Sequence, residues 1–350
     1  MISCSLSPNT EVDDVLLALR LLFAPWRWKR GTAIGKVEAK FHGVSFNSGR
    51  SALYAILQSY NIGRGDEVIL QAFTCVAVAD AIFRTGATPV FTDIDLSYCM
   101  DPNDFEKKIT RRTKAVIVQH TFGVSADIDR IITIAKKHDI RVIEDFAHTM
   151  SLPLKGDAGF YSFGRDKVLS SVFGGLAIGN VKQFHKKLEY PSYFWIFQQL
   201  LHPVAFAVIL PLYRIYIGKI LLVILQKLGL LSFPQISEVK KYPNALAILL
   251  LHQLKKLDRY TKEREAASAV YGKKYPYVRF PMRVDNPAKV IAKAKKNGVL
   301  LGNWYHNVVD PTPEPYKIIS CPHATEAAKH IINLPTRISV KDAKKVLSLI

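Results

Sequence analysis

The chain has 350 residues, of which 49% are hydrophobic and 22% are charged, and its formal net charge is +19. This composition excludes a disordered chain, and the length allows one large domain with a smaller domain appended. The basic residues form no RNA-binding signature and no helix-turn-helix spacing, so nucleic acid is not an expected partner. Their charge is compatible with a solvated basic surface or with attraction to anionic headgroups and phosphorylated substrates.

The cysteines and the first residues indicate the compartment. Cys4, Cys75, Cys99 and Cys321 form no CxxC pair and have no metal-ligand spacing, which is typical of a reducing compartment without a disulfide framework. The stretch 1–14 has no apolar core of a secretory signal. We therefore expect a cytoplasmic protein without a metal site.

An N-terminal arm or helix is predicted over residues 1–46. Its apolar stretch Val15–Phe23 is followed by Trp26 and Trp28 among basic residues. Since tryptophan favours the boundary between membrane and water, this arm could form an interfacial anchor.

The next segment, 47–190, alternates extended and helical patterns. Apolar, β-rich runs lie at Glu67–Gln71, Pro89–Thr92, Ala115–Gln119, Arg141–Ile143, Gly159–Phe163 and Leu176–Ile178. Helical patterns lie between most of them, at Ser51–Tyr60, Val76–Arg84 and Asp127–His138. Strands separated by helices of this length predict an α/β domain whose mainly parallel sheet is covered on both faces. The ligand site of such a sheet gathers at the carboxyl ends of its strands.

Residues 191–237 form an apolar helical insertion. Two apolar runs, Tyr193–Ile217 and Ile220–Leu231, are broken by polar residues and prolines, and neither reaches the roughly 20 clean apolar residues of a spanning helix. Three interpretations stay open for the segment 193–232. It could be a buried helical hairpin or oligomer contact, a monotopic or re-entrant insertion into one leaflet, or a transmembrane span.

The remainder, 238–350, predicts a smaller α+β domain. It begins with a long amphipathic helix over Ala245–Tyr275. Further elements are an extended Val278–Val284, a helix at Pro287–Asn297, a strand near Val299–Trp304, and helices at Thr325–Ile332 and Val340–Ile350.

Two motifs carry the chemistry. Asp145 ends an apolar strand in Val-Ile-Glu-Asp-Phe-Ala-His (142–148), and Lys167 follows Ser162 by five residues in Tyr-Ser-Phe-Gly-Arg-Asp-Lys (161–167). Pyridoxal 5'-phosphate needs these groups: a lysine that bonds to it, a carboxylate for its pyridine nitrogen, and hydroxyls or backbone amides for its phosphate. Gly49 and Arg50 open a helix that could hold the phosphate. The simpler alternatives are a capping role for Asp145 and a surface position for Lys167.

Beyond these motifs, residues 47–180 resemble the DegT/StrS type of fold-type-I, pyridoxal-phosphate-dependent sugar aminotransferases. The matching stretches are Ser48–Leu53, Gly63–Val68, Ala72–Ala81, Gly86–Asp95, Ile109–Val118, Ile143–His148 and Ser162–Gly175. Further matches lie in the C-terminal region, at Gln253–Asp258, Ala266–Tyr275 and Cys321–Pro335. The resemblance covers most of the chain except about 185–238.

The resemblance implies roles for individual residues. Lys167 would bond to the cofactor and shuttle protons, Asp145 would pair with the pyridine nitrogen, and His148 would lie near the ring hydroxyl. Cys75 stands where the family places an aromatic residue against the cofactor. The phosphate would be bound by Ser162, Gly49, Arg50 and Ser51.

The resemblance also implies an activity. Such enzymes move an amino group from glutamate to a keto-sugar, usually nucleotide-linked, in polysaccharide or cell-surface glycan biosynthesis, and they work as homodimers. The apolar insertion adds a possible contact of this chain with the inner face of the cell membrane. Two alternatives are a related elimination or dehydration enzyme with the same cofactor and a degenerate relative that binds or scaffolds without turnover. The chain departs from the family's pattern at Arg50, Cys75, Val172-Phe173-Gly174-Gly175, Val239 and Lys241.

Overall fold

The computed structural model describes residues 2–4, 6–181, 187–231, 238–312 and 320–350. The helices are α1 Val12–Leu22, α2 Thr32–Phe41, α3 Gly49–Ser59, α4 Val76–Phe83, α5 Pro102–Lys108, α6 Ile128–Lys137, α7 Tyr193–Leu212, α8 Ile217–Lys227, α9 Asn244–Leu254, α10 Leu257–Val270, α11 Pro287–Lys296, α12 Pro322–His330 and α13 Val340–Leu347. The strands are β1 Ile2–Ser3, β2 Val44–Phe46, β3 Glu67–Gln71, β4 Thr74–Cys75, β5 Thr88–Thr92, β6 Thr113–Gln119, β7 Arg141–Asp145, β8 Ala158–Ser162, β9 Gly175–Ile178, β10 Phe280–Arg283, β11 Val299–Leu300, β12 Val309–Asp310 and β13 Ile331–Leu334.

The largest sheet has seven strands in the order β2-β9-β8-β7-β6-β3-β5. The run from β8 to β5 is parallel, and β9 is antiparallel to both of its neighbours, β8 and β2. This confirms the predicted α/β fold with a mainly parallel sheet. The carboxyl ends of β6, β7 and β8 lie side by side at one edge, so polar residues that follow these strands are brought together.

Apolar side chains cover both faces of this sheet. Helix α6 buries Ile128, Ile131 and Ile134, which are spaced by three residues and therefore share one face of the helix. Helices α3 and α4 contribute to the core on the opposite face. Burial of one such side chain stabilises the fold by about 1.5–3 kcal/mol, so the two layers hold the sheet edge in a fixed geometry.

The C-terminal region reaches back to the large sheet. Strands β10 and β13 form an antiparallel pair, and β1 of the N-terminal arm pairs in parallel with β11. Strand β12 pairs in parallel with β4, which brings the segment that precedes β12 to the edge of the large domain. The predicted domain boundaries at 46, 190 and 237 stay predictions.

The structure differs from two predicted helices and contains one helix that was not predicted. The prediction of one long helix over Ala245–Tyr275 was wrong, because a turn separates α9 from α10. At this turn, Lys256 Nζ lies 2.5 Å from the carboxylate of Asp13 and 3.0 Å from that of Asp14. The helix predicted over Thr325–Ile332 ends at His330, since Ile331 and Ile332 are buried in β13 opposite β10. Helix α5 was not predicted, although Asp101 and Pro102 form a typical helix start.

The apolar insertion forms two packed helices, α7 and α8. Among the described residues, α7 is the one helix long and apolar enough to cross a membrane, but 44% of its apolar stretch is buried inside the protein. It packs against α1, α8 and α9. Residues 232–237 of the predicted insertion lie outside the described residues.

Candidate active site

A cleft of about 460 Å³ lies at the carboxyl edge of β6, β7 and β8. Its lining comprises Gly49, Arg50, Leu53, Cys75, Ala77, Val78, Gln119, Asp145, Ala147, His148, Phe160, Ser162, Lys167 and Tyr305. Seven of the eight site residues expected from the sequence therefore meet in one place. The eighth, Ser51, is buried behind the first turn of α3, where its hydroxyl donates a hydrogen bond to Asn47 Oδ1 at 2.7 Å.

Asp145 supplies a buried negative charge at the base of the cleft. It is the last residue of β7 and is 2% exposed, and its Oδ1 accepts a hydrogen bond from the backbone N–H of Ala147 at 2.8 Å. Burial raises the pKa of the carboxyl from 3.8 to about 6, although the hydrogen bond and the charges of Lys167 and His120 act in the opposite direction. The group is still ionised at neutral pH, so it can face a cationic partner in the cleft.

His148 connects the lysine amine to a tyrosine hydroxyl. Its Nε2 lies 3.3 Å from Lys167 Nζ and 3.3 Å from the hydroxyl of Tyr305, and its Nδ1 accepts the backbone N–H of Phe122 at 3.2 Å. Burial and the nearby cations place the pKa of His148 well below its ordinary value, so the ring is neutral. Because Nδ1 is an acceptor here, the proton of the neutral ring is on Nε2, between Lys167 and Tyr305.

The opposite end of the cleft is formed by the start of α3. Ser48 caps this helix by accepting the N–H of Ser51 at 3.1 Å, and Gly49 comes next. A side chain at Gly49 would place its Cβ 2.9 Å from Ser162 Cβ, and one at Gly175 would meet the backbone carbonyl of Ser48 at 2.3 Å. The two glycines thus allow the helix N-terminus to approach β8 and β9, which leaves an anion-binding position next to the Ser162 hydroxyl.

Arg50 adds a cation at the same end. Its guanidinium lies 3.6 Å from the carboxylate of Asp80, and its buried Nε has no hydrogen-bond partner within the described part of the chain. A phosphate at the start of α3 would be within the reach of a group of this charge.

Cys75 lies in the wall formed by β4, at the position where the family resemblance implies an aromatic side chain. The aromatic side chains on this side come instead from the C-terminal region: Tyr305 packs edge-on against Phe73 with ring centroids 5.3 Å apart. The neighbouring Trp304 stacks on His148 at 5.2 Å, and Lys167 Nζ lies 4.7 Å from the centre of the indole. The pairing of β12 with β4 holds this aromatic pair at the cleft.

Two buried arginines fix the loop that carries Lys167. Arg264 Nη2 donates to the carbonyl oxygen of Val168 at 2.8 Å and to Asn9 Oδ1 at 3.0 Å, while Asn9 donates to the carbonyl oxygen of Lys167 at 2.5 Å. Arg279 forms an ion pair with Asp166 at 2.9 Å, directly beside the lysine.

These two arginines, Asn9, Trp304 and Tyr305 were not predicted from the sequence. The one local signal was the aromatic run Trp304-Tyr305, since nothing near the other three residues points to the cleft.

The polar groups that line the cleft fit pyridoxal phosphate. A buried carboxylate, a lysine amine and a helix N-terminus with a free serine-lined position are the groups that its ring nitrogen, aldehyde and phosphate require. Gly49 keeps open the position that a Cβ would fill, so the phosphate end has room for a ligand.

Comparisons with known proteins point the same way. The sequence model of the DegT/DnrJ/EryC1/StrS aminotransferase family matches residues 32–204. The chain is 36% identical over 215 residues to UDP-N-acetyl-3-dehydro-alpha-D-glucosamine 3-aminotransferase of Acidithiobacillus ferrooxidans, covering 53% of this chain and 58% of that relative. It is 33% identical over 181 residues to GDP-perosamine synthase of Escherichia coli O157:H7, covering 47% and 50% of the two chains. The aligned segments thus span about half the length of these relatives.

Solved structures share the fold over almost the whole chain. A DegT DnrJ EryC1 StrS aminotransferase from Brucella abortus superposes with a TM-score of 0.72 at 21% identity, covering 96% of this chain and 94% of the other. NtdA from Bacillus subtilis, solved with bound cofactor PMP, superposes with a TM-score of 0.67 at 19% identity, covering 98% and 83%. These likenesses establish a fold-type-I architecture.

Proposed function

We propose that this chain is a pyridoxal-phosphate-dependent aminotransferase of the DegT/DnrJ/EryC1/StrS family, whose sequence model matches residues 32–204, and that it moves an amino group from glutamate to a nucleotide-linked keto-sugar. The observation that carries this proposal is the meeting of Asp145, His148 and Lys167 in one cleft beside the N-terminus of α3. Polysaccharide or cell-surface glycan biosynthesis is the proposed setting. The names of relatives that act on UDP-linked and GDP-linked sugars support the acceptor class.

The residues of the chain have separate tasks in this reaction. When bound, pyridoxal phosphate would supply an electron sink for the carbon that carries the amino group. Asp145 would hold a negative charge toward the ring nitrogen and so keep that nitrogen protonated. Lys167 would bond to the cofactor and, once released, move a proton at its Nζ. His148, whose Nε2 lies 3.3 Å from that amine, would orient it.

The phosphate group of the cofactor would be bound by groups that already lie together at the start of α3. The dipole of α3, the hydroxyl of Ser162 and the guanidinium of Arg50 would bind the dianion. Cys75 and Tyr305 would line the cofactor on the side of β4, where Tyr305 supplies the ring that Cys75 lacks.

A visible absorption spectrum tests the proposal. Addition of pyridoxal phosphate to the purified protein should produce a band that glutamate removes, and Lys167→Ala should not form it while retaining its circular dichroism spectrum. Release of 2-oxoglutarate in equal amount to the bound cofactor would establish the first half-reaction. A band that glutamate leaves unchanged would contradict the proposed donor, and a folded wild-type protein without any band would contradict the enzyme function.

We also propose that the enzyme is a homodimer in the cytoplasm, at the inner face of the cell membrane. A second cleft of about 1000 Å³ opens beside the first and shares His148 with it; its far wall is formed by Leu257, Asp258 and Thr261 of α10. An open wall next to the reacting groups supports completion of the site by a second subunit. Light scattering should give twice the mass of one chain, and a monomer with full activity would contradict the dimer.

A further inference from the structure

Helix α8 exposes one apolar face to solvent. Ile217, Ile220, Ile224 and Leu228 follow one another at spacings of three and four residues and therefore form a stripe along the helix. Together with Val223 they are between 47% and 64% exposed. Gly218 is the only residue of α8 that is buried. A continuous apolar stripe of this kind on a soluble protein marks an interaction surface.

The charged residues of the segment that carries this stripe all have the same sign. Residues 193–231 contain no aspartate or glutamate, and their charged residues are Arg214, Lys219 and Lys227. Lys219 lies over the exposed ring of Tyr216, with Nζ 4.2 Å from the ring centre, and Lys227 ends α8. Lysines beside an apolar face with an exposed aromatic ring are arranged as at a membrane interface, where the ammonium groups meet lipid headgroups.

The charge also decides which partner fits. A second copy of this chain would bring the same basic, carboxylate-free segment against itself, and each copy carries a net charge of +19. Such an interface would have no opposite charge within this segment to compensate the two sets of lysines. An anionic bilayer provides both the apolar depth for the stripe and the negative charge for the lysines.

A neighbouring helix has the same character. Helix α1 packs against α7, as α8 does, and it leaves Val12, Leu16 and Leu19 exposed. Phe23 and Trp26, which follow α1, are each 76% exposed. The helices that flank α7 thus both expose apolar side chains.

Helix α7 connects this region to the loop that carries the catalytic lysine. Trp195 packs against Phe173 with ring centroids 5.8 Å apart, and Gln199 Oε1 lies 3.5 Å from Arg165 Nη2. Both contacts join α7 to the loop between β8 and β9. A surface on α8 is therefore part of the same packed unit as the cleft.

We infer that the apolar face of α8, flanked by Lys219 and Lys227, lies in the headgroup region of an anionic bilayer. It binds the enzyme along one leaflet rather than through it, since α8 has 11 residues and is too short to span. This inference rests on the proposed location at the membrane. It does not depend on the aminotransferase chemistry, because lipid binding and cofactor binding are measured separately.

Vesicle flotation of the full chain, loaded with pyridoxal phosphate, tests the inference. Vesicles of phosphatidylglycerol and phosphatidylcholine are compared with vesicles of phosphatidylcholine alone. The wild type should float with the anionic vesicles and should dissociate as salt is raised. Ile220→Glu/Ile224→Glu should weaken binding at least about tenfold. Lys219→Gln/Lys227→Gln should weaken binding to anionic vesicles by about fivefold for each lysine.

The matched control is Leu96→Glu/Val340→Glu, which places two glutamates at exposed apolar positions away from α8. This variant should float like the wild type. Equal flotation of the wild type and Ile220→Glu/Ile224→Glu would overturn the inference, as would a folded wild type that binds neither kind of vesicle. A change of mass by light scattering in the Ile220→Glu/Ile224→Glu variant would also overturn it, because the face would then be a contact between subunits. The cofactor band in each variant reports separately on the proposed function.

Discussion

Replacement of Asp145 by asparagine should stabilise the cofactor-free protein while it impairs the reaction. The carboxyl is 2% exposed, and its pKa rises from 3.8 to about 6 on folding, mainly because burial disfavours the charged form. A rise of this size corresponds to about 3 kcal/mol of folding free energy. Asparagine has nearly the same shape and no proton to lose.

The sign of the effect follows from where each state titrates. Below pH 3.8 the carboxyl is protonated in both the folded and the unfolded chain, and the full stability is present. As the pH rises from about 4 through 6, the unfolded chain releases the proton first, so the folded state loses up to about 3 kcal/mol. Relative to the wild type, Asp145→Asn should therefore gain about that amount of unfolding free energy between pH 4 and pH 7.

Urea unfolding of both cofactor-free proteins at a series of pH values measures this gain. The difference between the two curves cancels the titration of all other groups. A flat difference curve for Asp145→Asn would refute the reasoning. With the cofactor bound, the same variant should convert glutamate on the order of 100-fold more slowly, and an unchanged rate would show that this carboxylate does not face the ring nitrogen.

Three further changes probe the cleft. Tyr305→Phe removes the hydroxyl that contacts His148 but keeps the ring, so the cofactor band should remain. The glutamate half-reaction, followed by stopped flow, should slow by about threefold to tenfold. An unchanged rate would exclude a role for the hydroxyl. Cys75 is the one cysteine of the four that is partly exposed, and the desolvation of its thiol in the cleft wall raises the pKa of that thiol. Iodoacetamide at pH 8 should therefore label Cys75 slowly, and the cofactor should protect it. Equal labelling with and without cofactor, measured by mass spectrometry, would place Cys75 outside the cofactor site. Gly49→Ala would bring a methyl group to 2.9 Å from Ser162 Cβ, so the affinity for the cofactor, measured by fluorescence titration, should fall about tenfold or more. The control Gly35→Ala, at an open helix position, should leave the affinity unchanged. Equal affinities of the two variants would contradict the proposed phosphate position.

Local patterns were sufficient to predict most of the large domain. Strand β3 was predicted with its observed bounds, because its five residues are all buried and its centre, 68–70, is a continuous apolar run of β-favouring residues. The meeting of Asp145 and Ser162 could also be predicted, since residues at the carboxyl ends of neighbouring parallel strands share one edge of the sheet.

Two other features were not predicted. At the break between α9 and α10, Lys256 forms ion pairs with Asp13 and Asp14, which are more than 240 residues away. Ser51 has the residue type expected of a phosphate ligand, but in the structure its hydroxyl is used by Asn47. The sequence alone gives no sign of either contact.

By itself, the sequence predicted the α/β alternation, the resemblance to an aminotransferase family, and the lysine and carboxylate proposed for the site, because periodicity, turn residues and motifs act over a few neighbouring positions. Only the tertiary structure decided that Tyr305 and Trp304 come to the cleft, through the pairing of β12 with β4. It also decided that 44% of the apolar stretch of α7 is buried inside the protein while the stripe on α8 is exposed. An apolar pattern fixes which side chains avoid water, but which surface covers them depends on residues far along the chain or on another molecule.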